Sequence, residues 1–180
     1  MRKALIICSS AVLVLAVAVI SLRAQQDKSK RPSPPATAKC ELGGGKTVTI
    51  DYSSPRKKGR NVFPDVAKYG EIWRTGANEA TTFVTTTDVM VGSTHVPAGS
   101  YTLFTVPGKD KWTLVISKKT GEWGTDYPGE KEDLARVDMK VGSSAAAVEN
   151  FTISFDKAGN GCNLKLAWDT TTAWVSVGTM

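Results

Sequence analysis

The sequence predicts an all-β domain, an antiparallel β-sandwich of jelly-roll-like type with eight to ten short strands. Three observations carry this expectation. Apolar and polar residues alternate with a period of two through most of the chain after Lys39, Gly, Pro and Asn punctuate that alternation at roughly regular spacing, and no long amphipathic helical pattern interrupts it. Strands of this kind each bury one face, and two packed layers are the simplest way to cover it.

The elements follow in order. Val48, Ile50 and Tyr52 share one face of a strand while Thr47, Thr49 and Asp51 share the other. Gly43-Gly44-Gly45 ahead of it lacks the Lys-Ser/Thr and helix of a phosphate-cradling loop and reads as a hairpin turn. Residues 64–69 read as one helical turn, 81–86 as a run of β-formers and 89–91 as a short strand. His95 stands in a short exposed turn before Val96, and Pro97-Ala98-Gly99 makes a turn into a strand over 100–106. A polar turn leads to a strand over 112–117, and 130–134 is a second helical turn. Alternation returns over 134–141 and 150–156, then Asn160-Gly161 signals a hairpin. Leu164, Leu166 and Trp168 alternate on the returning strand, and 173–177 closes the domain.

The first 24 residues read as an appendage. Arg2 and Lys3 form a positive start, residues 4–22 are almost wholly apolar, and Ala24 is a small residue before a polar stretch, the layout of a secretory signal peptide. Leu22 stands where a small residue is preferred, and the competing reading is an uncleaved membrane anchor. Residues 25–38, rich in Pro, Ser and charge, bury too little to offset ordering entropy and read as a disordered linker. The sandwich domain then spans 39–180. An exported, periplasmic or extracellular protein is expected, touching a membrane only through the N-terminal segment if that segment is kept.

Charge and histidine content exclude several function classes. Removing Arg2, Lys3 and Arg23, which no acid accompanies in residues 1–24, takes the formal charge from +6 to +3. No basic patch with a reader fold is visible, so no nucleic-acid partner is expected. His95 is the only histidine, which leaves no His-based metal cluster and no Ser-His-Asp triad that does not use it. No metal and no cofactor are expected. Export removes Cys8 and leaves Cys40 and Cys162 as an even pair in an oxidising compartment, either bridged or two separate buried thiols.

Two segments carry the candidate ligand-binding residues. Trp73-Arg74-Thr75-Gly76-Ala77-Asn78-Glu79 mixes a ring face, a rigid guanidinium fork, an amide and a carboxylate, which suits sugars and small anions. The bland alternative is a strand end whose Gly76 and Asn78 take special backbone angles and whose Arg74 pairs with Glu79. Trp123-Gly124-Thr125-Asp126-Tyr127 reads as an aromatic-bearing loop, which Arg136, Arg56 and Arg60 join in one polar-aromatic pocket or which simply covers the core edge. Glu79, Glu122 and Asp126 also leave room for carboxylate chemistry.

Residues 52–60 (YSSPRKKGR), 73–81 (WRTGANEAT) and 97–104 (PAGSYTLF), followed by Trp123-Gly124, Asp133 and Arg136, occur in that order. Together they resemble a bacterial exported family catalogued as domain-of-unknown-function family 2911, over about residues 45–177. The resemblance implies a β-sandwich and export, and no activity. The leading functional expectation is a non-catalytic envelope binding module for a sugar or small anionic ligand. An extracytoplasmic carboxylate-dependent hydrolase and a structural envelope protein without a small ligand are the alternatives.

Overall fold

The computed structural model describes residues 27–124 and 126–180. The expected signal segment, and the first two residues of the expected linker, lie outside the described residues. Residues 27–31 belong to a separate unit, in which Asp27 caps a single 3-10 turn, Lys28–Lys30, through its carboxylate and the Ser29 amide. Residues 32–180 form the other unit.

That unit is all-β. Its strands are β1 (Pro35–Gly43), β2 (Lys46–Ser53), β3 (Thr81–Thr85), β4 (Val89–Val91), β5 (Thr94–Val96), β6 (Gly99–Val106), β7 (Lys111–Ser117), β8 (Asp133–Ala158) and β9 (Gly161–Gly178). They form one nine-stranded antiparallel sheet in the order β1-β2-β3-β6-β7-β8-β9-β4-β5. The helical turn expected over 64–69 lies two residues earlier, at Val62–Asp65, and the one expected over 130–134 is the single 3-10 turn Glu130–Glu132. No helix among the described residues is long and apolar enough to cross a membrane.

The two layers are halves of this one sheet, folded over a shared core. Cys40 on β1 is disulfide-bonded to Cys162 on β9, with Cα atoms 6.3 Å apart, although five strands separate β1 from β9 in the sheet order. The Tyr52 hydroxyl accepts from the Ile153 amide at 3.0 Å, and Phe151 N donates to Pro55 O at 2.8 Å. The inward residues read from alternation, Val48, Ile50 and Tyr52, pack with Phe83, Leu103, Leu114 and Leu166 in that core.

Four local readings need correction. β1 starts at Pro35, inside the span read as linker, because an edge strand tolerates a proline and Thr37 bonds the Asp51 carboxylate across the ladder at 2.6 Å. His95 lies in a three-residue strand opposite Met90, its ring bonded to Asp88 at 3.0 Å. Four of the strands read separately are two long ones. Register shifts in the ladder between Ser143 and Thr152, and a positive φ of 51° at Asp169, bend β8 and β9 while their pairing continues. The hairpin between them turns at residues 159–160, one position earlier than the Asn-Gly pair suggested.

Candidate functional site

The strand β6 is buried on both faces, and this sets up the site. Tyr101 and Leu103 face the core, while Thr102 and Phe104 face outward and are still only 2% and 1% exposed. The segment between β7 and β8 covers that outer face. Tyr127 packs edge-on against Phe104 with ring centroids 5.3 Å apart, and Glu122 accepts a hydrogen bond from the Thr102 hydroxyl at 2.9 Å. Lys118 N donates to Glu132 O at 2.8 Å where the segment leaves and rejoins the sheet.

The 73–80 turn meets this covering segment. Ala80 N donates to Glu122 O at 3.2 Å, Gly124 N donates to Asn78 O at 3.2 Å, and Glu79 pairs through its backbone with Trp123. Trp123 projects to solvent and is 59% exposed. Trp73 and Arg74 go opposite ways, as neighbours on an extended segment must. Trp73 pairs with Thr105 and enters the core, where its ring stacks on Trp168 at 5.7 Å and meets Phe151 edge-on at 4.9 Å. Arg74 lies under the covering segment, its Nη1 3.4 Å from where a side chain on Gly124 would start.

The turn itself is strained and tightly tied. Thr75 is fully buried with a φ of +56°, a left-handed conformation that a β-branched residue adopts only at a cost of about 1–3 kcal/mol. Hydrogen bonds offset this: Thr75 Oγ1 donates to Thr105 Oγ1 at 3.1 Å, and the Thr81 hydroxyl donates to Thr75 O at 2.8 Å. Asn78, at φ +57°, donates its amide to Ser33 O at 3.0 Å. Gly76 has an ordinary negative-side φ instead of the expected special one. Its glycine is required by closeness, because a Cβ there would stand 3.0 Å from Ser53 O.

The remaining residues separate into two groups. Tyr127 donates to the Asp133 carboxylate at 2.8 Å, and Arg136 donates through Nε to Asp133 at 2.7 Å and through Nη2 to the Tyr127 hydroxyl at 2.9 Å. Burial, and then the bond to Asp133, push the Tyr127 hydroxyl above its ordinary pKa; the Asp133 carboxylate does the same to Arg136. Their polar groups are therefore committed to one another and hold the segment down. Arg56 and Arg60 stand on the segment after β2, where Arg56 donates to the Ser54 hydroxyl at 2.8 Å and Arg60 to Lys57 O at 3.0 Å.

Arg74 stands apart from all of these. Its Nε is buried and has no hydrogen-bond partner, and desolvation holds its pKa below the usual arginine value. Glu122 Oε1 is likewise buried without a partner. Sequence reasoning singled out Glu122 only as one of several acids, and its contact with Thr102 depends on the fold of the covering segment. No group of three or more His, Cys, Asp or Glu among the described residues is placed to hold a metal.

Residues 33–177 match the family described as protein of unknown function (DUF2911). No curated protein and no solved structure matches the chain.

Proposed function

We propose, for a chain that belongs to the DUF2911 family of proteins of unknown function, that it is an exported, non-catalytic binding module whose turn at Arg74 holds a small anionic ligand. One observation supports this most directly: a half-buried guanidinium whose Nε has no partner in the fold. Leaving a buried donor unsatisfied costs about 1–3 kcal/mol, more for a charged group; the shielded Nε leaves this guanidinium short of partners, and a carboxylate or phosphate that reaches its fork under the covering segment would supply them. Trp123 offers an exposed ring face beside the same turn. A disulfide fits an oxidising compartment, in keeping with a periplasmic or extracellular location.

The test is isothermal titration with a panel of small carboxylates and phosphate monoesters against the wild type, Arg74→Lys and Arg74→Ala. At least one anion should bind the wild type with a sub-millimolar Kd, Arg74→Lys should bind more weakly, and Arg74→Ala should bind at least tenfold more weakly while melting within a few degrees of wild type. Binding that survives Arg74→Ala unchanged would overturn the assignment, as would a panel in which no anion binds.

A further inference from the structure

The long hairpin of β8 and β9 doubles back so that its own two halves meet. Gly161, at the start of β9, packs so closely against Val177 and Gly178 at the end of the same strand that no Cβ fits there. The seam between the halves is a cleft. One depression of about 320 Å³ is lined by Ser143, Ser144, Asp156, Asn163, Lys165, Thr172 and Trp174. A second, of about 210 Å³, shares Trp174 and Asn163 and adds Asp138 and Lys140. These volumes stand at or below the lower end of the range for small-ligand sites, a size for one or two sugar units.

We infer that this cleft is a carbohydrate-binding site for neutral pyranose units, with Trp174 as the stacking platform. Ala173, Val175 and Val177 point into the core, so Trp174 between them points out, a large ring on an otherwise polar face. One edge of its indole is seated on Gly142, where a Cβ would come within 3.0 Å of the ring, so the ring is held in place. It pairs across the ladder with Lys140. Among the described residues, the Trp174 indole N–H, the Asn163 amide and the Thr172 hydroxyl make no hydrogen bond, which leaves donors and acceptors beside the ring for hydroxyl groups. Among the lining residues two acids, Asp138 and Asp156, meet two lysines, Lys140 and Lys165; Asp156 pairs with Lys165 at 3.7 Å, and Asp138 pairs with Lys111 outside the lining at 3.1 Å, so no acid is left unpaired. A balanced cleft favours an uncharged, hydroxyl-rich ligand over an acidic one, and an aromatic face suits the C–H side of a pyranose. This site is distinct from the Arg74 turn and does not depend on it.

The test is isothermal titration of the full chain with cellohexaose, maltohexaose and chitohexaose, and with an acidic oligosaccharide of hyaluronan as comparison. At least one neutral hexasaccharide should bind saturably with a Kd below a few millimolar. Trp174→Ala should weaken that binding at least tenfold, Trp174→Phe should retain part of it, and Asn163→Ala should weaken it several-fold. Arg74→Ala and Trp123→Ala should leave it unchanged, which separates this site from the anion site. Because Trp174 is half-buried, each variant is also melted, and Asn163→Ala keeps the test open if Trp174→Ala unfolds. No binding of any neutral hexasaccharide, binding unaffected by Trp174→Phe and Asn163→Ala, or preference for the acidic oligosaccharide would overturn the inference.

Discussion

Breaking the Cys40–Cys162 bridge should destabilise the domain by several kcal/mol. The two cysteines are 122 residues apart in sequence, and the chain-entropy account of a closed loop of that length gives about 5 kcal/mol at 25 °C. The native contribution matches this only if the bridge introduces no distortion, so about 3–5 kcal/mol is the expected loss. For a domain of this size that lowers the melting temperature by on the order of 10–15 °C. Both cysteines are buried, 1% and 4% exposed, so reductant reaches the bridge only after unfolding. The assay is therefore equilibrium urea unfolding with and without a phosphine reductant, read by tryptophan fluorescence, with the double variant Cys40→Ala/Cys162→Ala as a chemical control. The midpoint should fall to a similar value in both cases. An unchanged midpoint, or alkylation of both thiols in denaturant without reductant, would refute the reasoning.

Trp73→Ala should cost about 3–5 kcal/mol and lower the urea midpoint, because it opens a cavity against Trp168, Trp112 and Phe151; Trp73→Phe should cost clearly less. Stability should also fall under alkaline conditions. Burial raises the Tyr52 hydroxyl above its ordinary pKa, with the bond to the Ile153 backbone and the Arg56 charge opposing. A raised folded pKa means that stability is intact below the unfolded value, near 10, and is lost as pH rises through the folded value. Melting temperatures should be flat up to about pH 9.5 and decline above pH 10, more steeply than in Tyr52→Phe.

Much of the fold was legible because period-two alternation reports side-chain direction directly. Val48, Ile50 and Tyr52 point inward as read, and of the two readings of Cys40 and Cys162, bridged or separate, the structure contains the bridge. Trp174 was not singled out: residues 173–177 were read only as a closing strand, and although Ala173, Val175 and Val177 in the core place it outward, nothing local shows that its face is concave. The merging of four expected strands into β8 and β9 was not legible, because bulges and a left-handed Asp169 look like strand ends to a local pattern.

For the candidate site, the sequence determined which side chains the 73–79 turn and the following loop carry, and their chemistry. The tertiary structure decided their roles. Trp73 joined the aromatic core and Arg74 went under the covering segment, while Tyr127 and Arg136 became mutual partners through Asp133. The physical reason is range. Alternation depends on neighbouring backbone angles and survives in the sequence, whereas the burial of an unpartnered Nε on Arg74 or the closing of a cleft depends on segments tens of residues apart meeting in space.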